Sequence, residues 1–327
     1  MPVGRVFFLA LALTLANVVL LLAGTASAQS TDDPIEIPTV RVGGKRVVDD
    51  AAPSTVIDRS EVREALPTIP DLLHQQPGMR VSRVGGLGSF TTVSIRGSTS
   101  EQVRVFVDGI PLDTADGGVV DFTSIPFGPI ETIAIYRGVS PLLFGGSAIG
   151  GVISMQTRDI GEPHLEVEAG GGSFGTRQAR AFYGDGGAGW GVGISLDYTG
   201  SQGDFGYLND NGTLLATSST DDDVETTRTN AEFDQVATMA KARFHLGGSW
   251  QLRALNLLTW QQNGLPGNGT FPTDETSIES IRNISGIRVE GRRIGDFPFE
   301  TAFGAWLGYT ETRLMDPIAE FGILKDD

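Results

Sequence analysis

The second half of the chain alternates. Trp190, Val192, Ile194, Leu196 and Tyr198 fall on one side of an extended backbone, with Gly191, Gly193, Ser195, Asp197 and Thr199 on the other. Ala240, Ala242, Phe244 and Leu246 oppose Lys241, Arg243 and His245. Phe303, Ala305, Leu307 and Tyr309 likewise oppose Ala302, Gly304, Trp306 and Gly308. Successive strand residues point to opposite faces, so such runs predict strands that meet an apolar medium on one side. Seven are predicted, near residues 164–170, 176–183, 189–200, 233–246, 249–261, 281–293 and 298–312. Short links such as Gly247-Gly248 alternate with longer ones over 201–232 and 263–280. Alternation over about ten residues with unequal loops fits a transmembrane β-barrel, although soluble β-sandwiches alternate too.

The first half is patterned in shorter pieces. Asp58 and Glu61 stand at capping-box spacing and predict a short helix closed by Pro67. Thr68 and Asp71 repeat the device with Pro70 in the first turn, Leu72 and Leu73 as apolar face, and Pro77-Gly78 as the stop. Strands are predicted at 79–84, 92–96, 103–107, 110–112, 132–136 and 152–157. This order predicts a small α+β domain around a mixed sheet over residues 53–158. Within it, Gly138, Gly145-Gly146 and Gly150-Gly151 punctuate residues 130–157, so backbone geometry is being specified there.

The N-terminus bears on the compartment. Arg5 precedes an apolar run over 6–22, interrupted only by Thr14 and Asn17, and Ala26-Ser27-Ala28 precedes Gln29. A basic start, an apolar centre and an A-x-A-like site predict a signal peptide over 1–28; the competing reading is a membrane anchor. Residues 29–52 lack periodicity and read as a tether. Inside it, Ile37, Pro38, Thr39, Val40, Arg41 and Val42 form a β-prone run suited to strand addition on a partner's sheet edge.

Composition then narrows the classes. The 327 residues contain no cysteine, which removes disulfides, cysteine metal sites and a thiol nucleophile. The formal charge of −16 argues against nucleic acid as a partner. Forty-four glycines suit many tight turns between short strands.

The segments LLHQQPGMRV, VSIRG, VFVDGIPL, IETIAIYRG and FGGSAIGGVISMQT, in that order, resemble the plug domain of TonB-dependent outer-membrane receptors. The resemblance covers about a hundred residues, and the plug's general look is similar to the cobalamin-receptor branch. It implies a plug over 53–158 and, over 159–327, the first part of an antiparallel barrel. Plugged transporters use about 22 strands, so roughly two-thirds of a barrel is expected to be missing; the end of the chain also lacks the family's terminal aromatic strand. The implied function is active uptake of a scarce small molecule, such as a siderophore-iron complex or cobalamin, across the Gram-negative outer membrane. The partners implied are a TonB-type energy-coupling protein, contacting residues 37–42, and outer-membrane lipid. A truncated fragment with at most a ligand-binding role is the alternative. Matching segments place ligand-binding apices at Val84, Gly85, Gly86, Leu87, Gly88, Ser89 and Phe90, and at Asp113, Thr114, Ala115 and Asp116. Arg96 and Arg137 correspond to plug arginines that dock on acidic residues of the barrel wall.

Other chemistry is weaker. Gly170, Gly172 and Gly175 spell GxGxxG, but the next residues read as a strand, where a dinucleotide site needs a helix. His74, His164 and His245 are too dispersed for a zinc site, and no catalytic set emerges, so a non-enzyme is expected. Asp204, Asp210, Asp221, Asp222, Asp223 and Asp234, with Glu225, could offer calcium an oxygen-rich loop, as some cobalamin-binding family members do. A solvated loop tip is the favoured reading, because the spacing fits no EF-hand loop, and no other cofactor is expected.

Overall fold

The computed structural model describes residues 54–62, 67–112, 118–138, 144, 149–209, 223–267, 272–291 and 301–320. The signal-peptide and tether segments, residues 37–42 included, lie outside them.

The first domain is a five-stranded mixed sheet with a helix and a hairpin. Its strands are β1 (Ser54–Asp58), β4 (Val103–Val107), β5 (Ile110–Pro111), β6 (Ile130–Tyr136) and β7 (Gly151–Thr157), in the order β1-β6-β7-β4-β5. Only β4 and β7 run parallel. Hairpin β2 (Met79–Arg83) and β3 (Thr91–Ile95) stands beside them. Val105, Ile133, Ile135, Ile153 and Met155 are fully buried at the centre. Each such burial is worth roughly 1.5–3 kcal/mol. Strands covered on both faces read as continuous apolar runs, which is why the alternation seen later in the chain is blurred here.

The helix Ile69–His74 forms as its signals predict. Thr68 caps it, accepting from the Asp71 amide at 3.4 Å, Pro70 sits in the first turn, and Ile69, Leu72 and Leu73 enter the core. The earlier capping signal resolves differently. Asp58 accepts from the Ser60 amide at 2.9 Å and heads a single 3-10 turn, Arg59–Glu61, in place of the expected helix. The turn ends at Val62, which returns to extended backbone with ψ 117°; residues 63–66, the rest of the expected helix, lie outside the described residues.

The second half forms a seven-stranded antiparallel wall. Its strands are β8 (His164–Gly171), β9 (Arg177–Gly186), β10 (Trp190–Ser201), β13 (Phe233–Gly247), β14 (Trp250–Gly264), β15 (Ser277–Gly291) and β16 (Thr301–Met315). They lie side by side in chain order, with β8 and β16 at the edges. The small hairpin β11 (Gly206–Asn209) and β12 (Val224–Thr227) rises from the link between β10 and β13. Trp190, Ile194 and Leu196 are exposed on the outer face, while Ser195 and Asp197 are buried on the inner one. Strand β10 is thus apolar outward and polar inward, as the alternation predicts, while Phe182, Met239, Leu255, Leu257 and Ile284 of the neighbouring strands face inward and join the first domain's apolar core. Strand β15 starts four residues before its predicted position, because pairing of Ser277 with Gly264 of β14 draws in a segment whose composition reads as loop.

Candidate plug–wall seam and ligand apex

The inner face of the wall meets the first domain along a polar seam. Arg59, in the 3-10 turn after β1, places Nη2 at 2.7 Å from Glu168 and 3.2 Å from Glu166, both on β8. Arg158, directly after β7, reaches Glu166 at 2.6 Å and lies 3.9 Å from Glu131. On the wall, Glu168, Arg180 and Asp197 stand directly opposite one another across β8, β9 and β10. Arg180 lies 3.6 Å from Asp197 and 3.7 Å from Glu168, and donates to the Pro67 carbonyl at 2.8 Å. Phe127 sits between two guanidinium groups, 4.9 Å from that of Arg59 and 5.5 Å from that of Arg180.

Asp197 is the deepest of these carboxylates, and its Oδ1 accepts from the Gly128 amide at 3.1 Å. A Cβ at position 128 would fall 2.0 Å from that oxygen, so this approach requires glycine. Buried charges cost several kcal/mol each in desolvation and hold only when paired and hydrogen-bonded. Asp197 meets that condition on Oδ1, through Arg180 and Gly128 together, while its Oδ2 is buried without a hydrogen-bond partner among the described residues.

Farther along the wall, donors address neutral acceptors of the domain. Gln235 on β13 donates to the Thr123 carbonyl at 2.6 Å, and Thr259 on β14 to the Ser124 carbonyl at 2.9 Å. Arg282 on β15 donates to the Ser124 hydroxyl at 2.9 Å and to the Leu112 carbonyl. Lys241 on β13 donates to the Thr157 hydroxyl at 2.9 Å, and the Thr157 amide donates to Asp108 at 2.9 Å.

Residues 84–90 form a loop at the end of the wall where the longer links lie. Asn263, near the end of β14, donates to the Gly88 carbonyl at 2.7 Å. Gly88 has φ +80° and packs on Phe233, the first residue of β13, where a Cβ would fall 2.1 Å from that ring. Between this loop and the Asp197–Arg180 anchor lies a cavity of about 50 Å³, lined by Gly86, Gly88, Thr123, Phe127, Arg180 and Asp197 among others. That is room for a few water molecules.

The other predicted site residues fall as follows. Val84, Gly85, Gly86, Leu87, Gly88, Ser89 and Phe90 come together in one loop; Asp113, Thr114, Ala115 and Asp116 lie outside the described residues. Arg96 is exposed with φ 51°. Arg137 donates to Thr55 within the same domain at 2.5 Å. Its Nε and Nη2 are buried without a hydrogen-bond partner among the described residues. Burial, and then the charge of Arg96, pull the Arg137 pKa below the usual arginine value. Asp204 follows β10, Asp223 precedes β12, and Asp234 on β13 accepts from the Tyr198 hydroxyl at 2.7 Å. Asp210, Asp221 and Asp222 lie outside the described residues. Among the described residues no three metal-ligating side chains stand together.

The sequence reading missed the seam residues Arg59, Arg158, Glu166, Glu168, Arg180 and Asp197. The available signal was ionisable residues on the inner face of alternating strands, since charge at membrane depth turns inward and pairs.

Comparison with known proteins gives the same outline. The TonB-dependent Receptor Plug Domain family profile matches residues 46–152. The vitamin B12 transporter BtuB of Photobacterium profundum is 38% identical over 157 residues, 46% of this chain and 25% of that protein. BtuB of Vibrio vulnificus is 40% identical over 107 residues, 32% of this chain and 18% of that protein. The chain therefore spans about a quarter or less of these curated relatives. Among solved structures, the siderophore receptor PirA from Acinetobacter baumannii superposes with TM-score 0.59 at 17% identity, over 80% of this chain and 40% of that one. The copper transporter OprC gives TM-score 0.60 at 15% identity, over 80% of this chain and 37% of that one. At such identities the likeness concerns the fold.

Proposed function

We propose, from the match of residues 46–152 to the TonB-dependent receptor plug family and the likeness to the BtuB transporters, that the chain is a portion of an outer-membrane importer. The ligand is a scarce small molecule, of the kind exemplified by siderophore-iron complexes and cobalamin. It docks at the apex loop on the long-loop side, and a TonB-type protein of the inner membrane engages residues 37–42 from the other side. The relatives are receptors and transporters, which points to a non-enzyme.

The observation that carries this reading is the seam. A folded domain sits against the inner face of an outward-apolar antiparallel wall, held by polar contacts at its rim. Beneath those contacts Met239, Leu255, Leu257 and Ile284 of the wall share one apolar core with the domain, so shifting it by force also parts apolar surfaces. Arg96 and Arg137 fit docking on carboxylates outside this chain: two like charges lie near each other, and one guanidinium has buried, unpartnered nitrogens.

The test is capture of the 327-residue chain, in detergent, by the periplasmic domain of a TonB-type protein. Capture should be lost on V40P, which removes a strand-forming amide. No capture, or capture indifferent to V40P, would contradict the assignment of residues 37–42.

A further inference from the structure

We infer that the ligand received at the apex loop carries apolar surface and no net negative charge. The inference rests on the import reading above and narrows its ligand class.

The apex is apolar and held in shape. Val84 is 78% exposed, Phe90 47% and Leu87 37%, and residues 84–90 contain no ionisable side chain. The loop is closed by three bonds: Val84 amide to Phe90 carbonyl at 3.3 Å, Ser89 hydroxyl to Gly86 carbonyl at 2.6 Å, and Asn263 to Gly88. Exposed apolar area costs about 25 cal/mol per Å² until something covers it. The adjacent cation, Arg83, is occupied by an ion pair with Asp71.

The surroundings set the sign of the charge. The links at this end of the wall contribute Asp204, Asp223, Glu225, Glu232, Asp274, Glu275, Asp316 and Glu320 among the described residues, against Arg228 alone. Arg228 is engaged: it lies 5.1 Å over the Tyr207 ring and donates to the Gly267 carbonyl. These carboxylates act together as a field at the entrance. Such a field, screened over about 8 Å at physiological salt, disfavours a polyanionic chelate relative to a neutral or cationic one. Arg180, which lines the cavity beneath the apex, is engaged with Asp197 and Glu168.

The experiment is calorimetric titration of the full chain in detergent micelles, at low and at physiological salt. The probes are a neutral corrinoid, a monocationic ferric hydroxamate and a trianionic ferric catecholate. The neutral or the cationic probe should bind at least about tenfold more tightly than the anion at low salt, and added salt should narrow the gap. A tighter neutral probe, insensitive to salt, would assign selection to the apolar apex. A tighter cation, weakened by salt, would assign it to the field; either result upholds the inference. Replacing exposed residues, V84K with F90K, should raise the anion's affinity about tenfold without disturbing the fold. Anion binding as tight as the others at low salt would overturn the inference and leave the import reading standing. No binding of any probe would overturn both.

Discussion

The two flanks of the seam hold the plug by opposite chemistry. On β8 and β10 the wall supplies carboxylates, Glu166, Glu168 and Asp197, and the plug supplies the donors Arg59, Arg158 and the Gly128 amide. On β13, β14 and β15 the direction reverses: Gln235, Lys241, Thr259, Asn263 and Arg282 donate to carbonyls and hydroxyls of the plug. The first flank is coupled and partly buried, so removing one member strands another. The second is a row of separate bonds, each worth about 0.5–1.5 kcal/mol, over an apolar contact of Met239, Leu255, Leu257 and Ile284 with the plug core. Force on the plug should therefore release the second flank first, with the first acting as hinge.

The largest expected effect breaks the hinge. Asp197→Ala removes one of the two carboxylates beside buried Arg180, which keeps Glu168 and the Pro67 carbonyl, and leaves the Gly128 amide without its acceptor, at a cost of about 1–3 kcal/mol. All four tryptophans lie on the wall, at 190, 250, 260 and 306. The mutation should thus open residues 54–158 to trypsin at lower denaturant while tryptophan fluorescence still reports an intact wall. Loss of both signals together would mean that plug and wall are one cooperative unit.

Gly128→Ala attacks the same contact sterically and should cost about 1–3 kcal/mol by the same protease readout. On the second flank, Thr259→Val should cost only about 1 kcal/mol. It should add to Asp197→Ala within about 0.5 kcal/mol, because the sites share no partner. A strong coupling between them would contradict independent flanks.

The smallest effect concerns the links. Glu320 accepts from the Thr276 hydroxyl and from the amides of Asp274, Glu275 and Thr276, and the bond to the Thr276 hydroxyl leads in drawing its pKa below the usual carboxylate value. A depressed carboxylate stabilises above its unfolded pKa, and that contribution fades as pH falls through the folded one. Amide exchange at 274–276, corrected for its intrinsic pH dependence, should lose protection as pH drops below about 4. Glu320→Gln should weaken the same amides at neutral pH.

How much of this was legible follows from periodicity and register. Alternation exposed the seven wall strands, and for residues 190–199, 240–246 and 302–309 the two faces, because apolar and other residues differ there at every second position. The plug helix was legible from Thr68, Pro70 and Asp71. β1 was not, since Asp58 next to Glu61 mimics a helix start and the pairing with Tyr136 and Ile133 that decides the matter is long-range. The seam was hidden for the same reason. Arg180 and Asp197 are visible as charges on inner faces, but only the register between β9 and β10 places them opposite each other. Of the predicted apices, residues 84–90 are brought together by Asn263 and Phe233, neither of which carries a motif.

The central claim, that the plug sits against the inner face of the wall, is tested most directly by cross-linking. The chain has no cysteine, so introduced pairs are clean reporters. T123C with Q235C joins the plug to an inner-face position of β13, while T123C with V236C targets the neighbouring residue on the outer face. A short dithiol linker should join the first pair efficiently, giving a compact species on a denaturing gel, and leave the second unjoined. Equal cross-linking of both pairs, or none of the first, would contradict a plug seated against this wall.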